Sequence, residues 1–188
     1  MRALHLHRIV LLLSLTSFLL SQRTSAAPSN DLFADAEVLN PTVTHVTGSN
    51  IGATSEPGEP IHAAFGGGRS VWWIYDAQET GYLSVNTFGS VSVDTFELDT
   101  VLAIYTGTTV NNILEIASND DDEESDTYNS KLIFPVQAGT RYYIAVDGWN
   151  YDTGADQGAI QLEYIFSLTL PTVPAPVWTL PNIDGSML

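Results

Sequence analysis

From Ser70 onward, apolar and polar positions alternate with a period near two, and no stretch sustains the 3.6 period of an amphipathic helix. In SVWWIYDA, Val71, Trp73 and Tyr75 fall on one face while Trp72 and Ile74 fall on the other. GYLSVNTF follows after a turn at Glu79–Gly81, so the two segments are predicted to form an antiparallel hairpin. Further strands are predicted in TVLAIYTG from Thr100, ILEIAS from Ile113, KLIFPV from Lys131, RYYIAVDG from Arg141 and AIQLEYIFSL from Ala159. Gly107, Asn111–Asn112, Ala138–Gly139 and the loop from Gly148 to Gly158 separate them. With TVTHVTGSNIGA near the start, the pattern gives about eight strands and no crossover helix, hence an all-β, antiparallel β-sandwich of jelly-roll type. NDLFADAEVL, from Asn30, begins with a helical turn. The alternation assigns Trp73, Leu102, Ile104, Phe134, Ile144, Val146 and Leu162 to the core. Tyr105, Tyr143 and Phe166 are placed between the sheets with them, because large rings dominate sandwich cores.

The chain opens differently. Arg2 and Arg8 precede an apolar run from Ile9 to Leu20, and small polar residues follow as far as Ala26. This is the form of a secretory signal, with cleavage expected after Ala26. The apolar run is shorter than the ~20 residues needed to span a bilayer. The expected organisation is therefore a signal peptide over 1–26, a β-sandwich over 27–168 and a Pro-rich linker or tail over 169–188.

Removing the signal sharpens the charge. It leaves three basic residues, Arg69, Lys131 and Arg141, against twenty-two acids, a formal −19 compared with −16 for the whole chain. Such a surface repels nucleic acid and anionic lipid, and it favours solubility outside the cell. The chain has no cysteine. Thiol catalysis is excluded, and the core must hold the fold without disulfides.

Candidate chemistry concentrates at strand ends. The run from Asn119 to Asp126, NDDDEESD, is acidic and almost uncompensated. Calcium takes six to eight oxygens from carboxylates, amides and backbone. Asn119, Asp120, Asp121 and Asp122 offer such groups, and Asp99 and Asp147 sit at strand boundaries from which they could reach the same end of a sandwich. The run lacks the spacing of a self-contained calcium loop, so a solvated, self-repelling loop fits the composition as well. Trp149 and Tyr151, in DGWNYDTGADQG, are aromatic rings on a polar loop and are candidate ligand contacts.

Evidence for catalysis is thin. Glu56 and Glu59 lie in SEPGEP, a Pro/Gly loop read as offering no rigid platform for paired carboxylates. His62 near Ser70 lacks a nucleophile elbow. GGGRS lacks the lysine of a phosphate loop and is read as a tight turn into the Trp72 strand.

The blocks NDLFADAEVL, VTGSNIGATSEPGEPIHA, GGGRSVWWIYDAQETGYLSVNTFGS, LDTVLAIYTG, IASNDDD, KLIFPVQAGTRYYIAVDG and GAIQLEY resemble, in this order, the bacterial pre-peptidase C-terminal (PPC-like) domain. The resemblance spans most of Asn30 to Leu168. It implies a secreted, non-catalytic β-sandwich accessory module that binds or spaces outside the cytoplasm; relatives in collagenases bind collagen and calcium. The chain departs from that pattern after Asp121, where Asp122, Glu123, Glu124 and Asp126 stand in place of Gly and Ser. APVWTLPNIDGSML, near the end, is similar to the opening of thioredoxin-like redoxin domains. The expected partner is an extracellular polymer or protein surface, with no nucleic acid and no membrane once the signal is removed. The alternatives are a hydrolase using sandwich carboxylates, or the front part of a longer exported redoxin-type protein.

Overall fold

The computed structural model of the chain describes residues 26–94, 96–151 and 154–171. Almost all of the segments read as signal peptide and Pro-rich tail, including the redoxin-like stretch, lies outside the described residues. Among the described residues no helix is long and apolar enough to cross a membrane.

The strands are β1 (Glu37–Val38), β2 (His45–Ser49), β3 (Val71–Asp76), β4 (Gly81–Asn86), β5 (Val91–Ser92), β6 (Thr100–Gly107), β7 (Ile113–Asn119), β8 (Lys131–Val136), β9 (Arg141–Gly148), β10 (Asn150–Tyr151), β11 (Gly154–Ala155) and β12 (Gly158–Ser167). Eight of the described strands have five or more residues, and these are the segments that the alternation picks out. The turn expected in NDLFADAEVL is a 3-10 turn over Phe33–Asp35.

One sheet runs β1-β3-β9-β6-β7 and the other β2-β12-β4-β8, with β5 joined to β12 and β10-β11 forming a separate pair. Apart from the parallel β1–β3 contact, the pairings are antiparallel. The two sheets close on one core, where Trp73, Leu102, Ile104, Ile144 and Val146 of the first meet Leu83, Val85, Phe134, Ile160 and Leu162 of the second. All seven core residues expected from the alternation are buried there. The fold is an antiparallel β-sandwich.

The expected hairpin between SVWWIYDA and GYLSVNTF does not form. β3 pairs with β1 and β9, whereas β4 pairs with β12 and β8, so the turn between them carries the chain from one sheet to the other. The cause lies in β3, whose first five residues are buried on both faces. A strand apolar on both sides needs cover on both sides, and crossing lets Trp73 and Tyr75 face Leu83 and Val85 through the core.

The cover on the outer side is a second apolar cluster. Phe33, Trp72, Ile74, Ala103, Tyr105, Tyr143 and Ala145 pack on the face of the first sheet turned away from its partner. Phe33 stacks on Tyr143 with centroids 4.1 Å apart and meets Trp72 edge-on at 5.2 Å. Tyr105 and Tyr143 therefore belong to this outer cluster and not between the sheets. They occupy the odd positions of β6 and β9, opposite in parity to Ile104 and Ile144. Phe166 is partly buried against the inter-sheet core.

Candidate functional site

Pairing of β6 with β7 sets Leu102 opposite Asn119, which brings the residues just before β6 beside those just after β7. Asp99 comes from the first side, Asp120 and Asp121 from the second. One oxygen from each of these three carboxylates lies within 4.8 Å of the other two. Asp99 is only 8 % exposed, and its Oδ1 has no hydrogen-bond partner. The Oδ1 atoms of Asp120 and Asp121 and the Oδ2 of Asp122 are likewise buried and without partners. A buried oxygen left unpaired costs about 1–3 kcal/mol, more when it is charged.

The electrostatics follow from that crowding. Burial, then the neighbouring charges of Asp121 and Asp99, push the Asp120 carboxyl up to about 7. Burial also raises the Asp99 carboxyl; the Tyr151 hydroxyl opposes the rise, and Asp121, Asp156 and Glu97 add to it. Asp121 is raised by burial and by Glu123 and Glu97. The donor set consists of carboxylate oxygens alone, the hard ligands that suit calcium or magnesium and not a thiophilic metal.

Of the six residues nominated from the sequence, Asp99, Asp120 and Asp121 come together, Asp122 stands outside that trio, and Asn119 and Asp147 are engaged elsewhere. The Asn119 side chain accepts the Lys131 amide at 2.9 Å and donates to the Asp121 carbonyl at 3.1 Å, so it frames the turn rather than facing the cluster. Asp147 is turned to the Gly-rich loop, where its oxygens accept the amides of Gly68 at 2.9 Å and Arg69 at 2.7 Å. Burial raises the Asp147 carboxyl, opposed by His62 and by the amides of Gly68, Arg69 and Gly148. A side chain on Gly66 would put its Cβ 2.7 Å from Asp147 Oδ2, and Gly68 adopts φ +81°, so this approach needs glycine.

Loop 54–70 is also firmer than its Pro/Gly content suggests. Glu56 Oε2 accepts the Phe33 amide at 2.5 Å, Glu59 Oε2 accepts the Glu56 amide at 2.6 Å, and Asp31 accepts both the amide and the hydroxyl of Thr54. His62 is buried, with Nε2 2.9 Å from Glu59 and Nδ1 2.8 Å from the Tyr105 hydroxyl. Ser70 Oγ donates to Glu59, not to His62. Nucleophile and base are thus not paired, and the group acts as a buried strut. Burial works to raise the Glu59 carboxyl, but hydrogen bonds from His62, Ser70 and the Glu56 amide outweigh it and hold it below the usual range.

The two candidate aromatic contacts separate. Trp149 stacks on Phe65 at 4.6 Å, whereas Tyr151 is half-exposed and donates its hydroxyl to Asp99 Oδ2 at 2.5 Å. Tyr151 lines an open groove of about 680 Å³ together with Arg69, Asp94, Phe96, Tyr128 and Gln157. Phe96, Tyr128 and Arg69 were not legible as site residues. They lie far apart in sequence, and the one available signal was a large ring set singly in each of two acidic, turn-rich stretches.

No family model matches the chain, and no curated protein matches it. Solved structures similar to it include the pre-peptidase C-terminal domain of a collagenase from Bacillus anthracis, at 12 % identity and TM-score 0.41, covering 69 % of this chain and 94 % of that one. Another is a family 35 carbohydrate-binding module from an environmental isolate, at 14 % identity and TM-score 0.34, covering 76 % of this chain and 90 % of that one. The first belongs to the family that the ordered sequence blocks resemble.

Proposed function

We propose that this chain is an exported, non-catalytic β-sandwich module that meets a polymer or protein surface outside the cytoplasm and binds one calcium ion at Asp99, Asp120 and Asp121. The signal-like opening and the acidity of the rest of the chain support export. The observation that carries the metal reading is the set of buried carboxylate oxygens without partners, since each is a charge that a cation would satisfy.

Calcium fits better than magnesium because an irregular turn supplies two of the three carboxylates, whereas magnesium demands strict octahedral geometry and holds its waters.

Calorimetric titration of metal-free protein tests the reading. One calcium per chain is expected, with much weaker magnesium binding and loss of the calcium heat in Asp120→Asn/Asp121→Asn. Equal binding of both metals, or calcium binding that survives the double substitution, would contradict it.

A further inference from the structure

Beside the metal cluster, the groove lined by Arg69, Asp94, Phe96, Tyr128, Tyr151 and Gln157 presents three large rings to solvent. Phe96 is 77 % exposed, Tyr128 59 % and Tyr151 49 %. Exposed apolar rings grouped in one concavity mark a binding surface, whereas scattered ones do not. Two of these rings, Tyr128 and Tyr151, are also held in place. Glu97 accepts the Thr127 hydroxyl and the Tyr128 amide, which fixes the backbone under the Tyr128 ring. The Tyr151 hydroxyl is bonded to Asp99.

The charges in the groove select among ligands. Four acids line it, but three are already committed to the protein. Glu97 is bound as above, Asp99 takes the Tyr151 hydroxyl, and Asp156 accepts from the Ser92 hydroxyl and from the amides of Gln157 and Asp99. Among the described residues the Asp94 carboxylate accepts no hydrogen bond and Arg69 forms no ion pair, so within that set one acid and one cation lack partners. The committed acids keep their charge, so a polyanion is repelled; toward a basic peptide Arg69 offsets one of the four acids, and it is the three exposed rings that favour a neutral chain over a charged one. A neutral sugar chain suits the set: its hydroxyls donate to Asp94 and accept from Arg69, and its C–H faces lie on the electron-rich faces of the rings.

We infer that this groove binds a neutral glycan chain, and that calcium tightens the binding through Asp99. The coupling rests on the calcium reading above. Asp99 offers Oδ2 to Tyr151 and leaves Oδ1 without a partner. A cation held at Oδ1 fixes the carboxylate, which then fixes the Tyr151 ring, so less ordering remains for the glycan to impose.

Native electrophoresis through gels containing hydroxyethylcellulose or galactomannan, with polygalacturonate and gelatin gels as comparisons, tests the inference. In calcium the protein should be retarded by at least one neutral polysaccharide. Tyr151→Ala should weaken the apparent affinity about tenfold, as loss of a ring contact does. Phe96→Ala, at a site too exposed to affect folding, should weaken it in the same direction. Tyr151→Phe keeps the ring and should still bind, but its retardation should no longer respond to EGTA. Retardation in gelatin or polygalacturonate alone, in no gel, or unaltered in both alanine variants would overturn the glycan site. Calorimetric calcium binding beside retardation that EGTA leaves unchanged would overturn the coupling while the metal reading stands.

Discussion

The first sheet carries two groups of acids, around loop 54–70 and at the turn after β7, and they differ in what surrounds them. At the loop, Asp31, Glu56, Glu59 and Asp147 accept backbone amides, hydroxyls or the His62 ring. At the turn, Asp99, Asp120, Asp121 and Asp122 each keep a buried oxygen with no donor. The loop acids do the work that a helix cap or a ladder would do elsewhere, satisfying a backbone that has no regular structure of its own. Among the turn acids Asp99 takes the Tyr151 hydroxyl on one oxygen, and the unpaired oxygens stabilise nothing by themselves. An acid count therefore says little about function; the informative quantity is the number of carboxylate oxygens that the fold leaves unpaired.

Removing a satisfied acid should do the most damage. Asp147→Ala leaves the amides of Gly68 and Arg69 without an acceptor, and we expect a loss of about 3–4 kcal/mol in chemical denaturation. A loss below about 1 kcal/mol would mean that the glycine loop satisfies itself.

Glu59→Gln should follow at about 2 kcal/mol, because it weakens the bonds to His62 and Ser70 without emptying the site. Its pH signature is more telling. The folded chain holds the Glu59 carboxyl low, so its contribution is present above the unfolded value of about 4.3 and is lost as pH falls below it. The substitution should flatten that acid limb of the stability curve. An unchanged acid limb would remove Glu59 from the account.

Glu123→Gln/Glu124→Gln should give the smallest change, within about 0.5 kcal/mol, since both side chains are exposed and Glu124 stands 4.0 Å from Lys131. Loss of the calcium response in this variant would move the metal site outward along the loop.

The sandwich was legible because period-two alternation survives in every long strand, and Trp73, Leu102 and Ile144 needed nothing more to be placed. Asp99, Asp120 and Asp121 were legible as acids at strand ends. Asp147 looked the same in sequence, and what separates it is a pair of amides nearly eighty residues away, delivered by a turn that requires glycine. The β3–β4 connection was misread because a short turn between two alternating segments has the same pattern whether it closes a hairpin or crosses between sheets. The groove was hidden for a related reason: Phe96 and Tyr128 become neighbours only through Glu97.

The central claim is that the fold assembles a repulsive cluster which a cation relieves, and thermal melts of the wild type and of Asp120→Asn/Asp121→Asn at pH 8 test it. The folded state raises the Asp120 carboxyl to about 7, so its stabilising contribution is present when it is protonated and is lost as pH rises from about 4 through about 7. At pH 8 in EGTA the wild type should therefore melt below the variant, by about 5 °C once solvent screening of the partly exposed group is allowed for. Millimolar calcium should invert that order, raising the wild type by about 10 °C when its concentration is about a hundredfold above Kd and leaving the variant unmoved. A wild type that melts above the variant in EGTA, or calcium that shifts both proteins equally, would contradict the account.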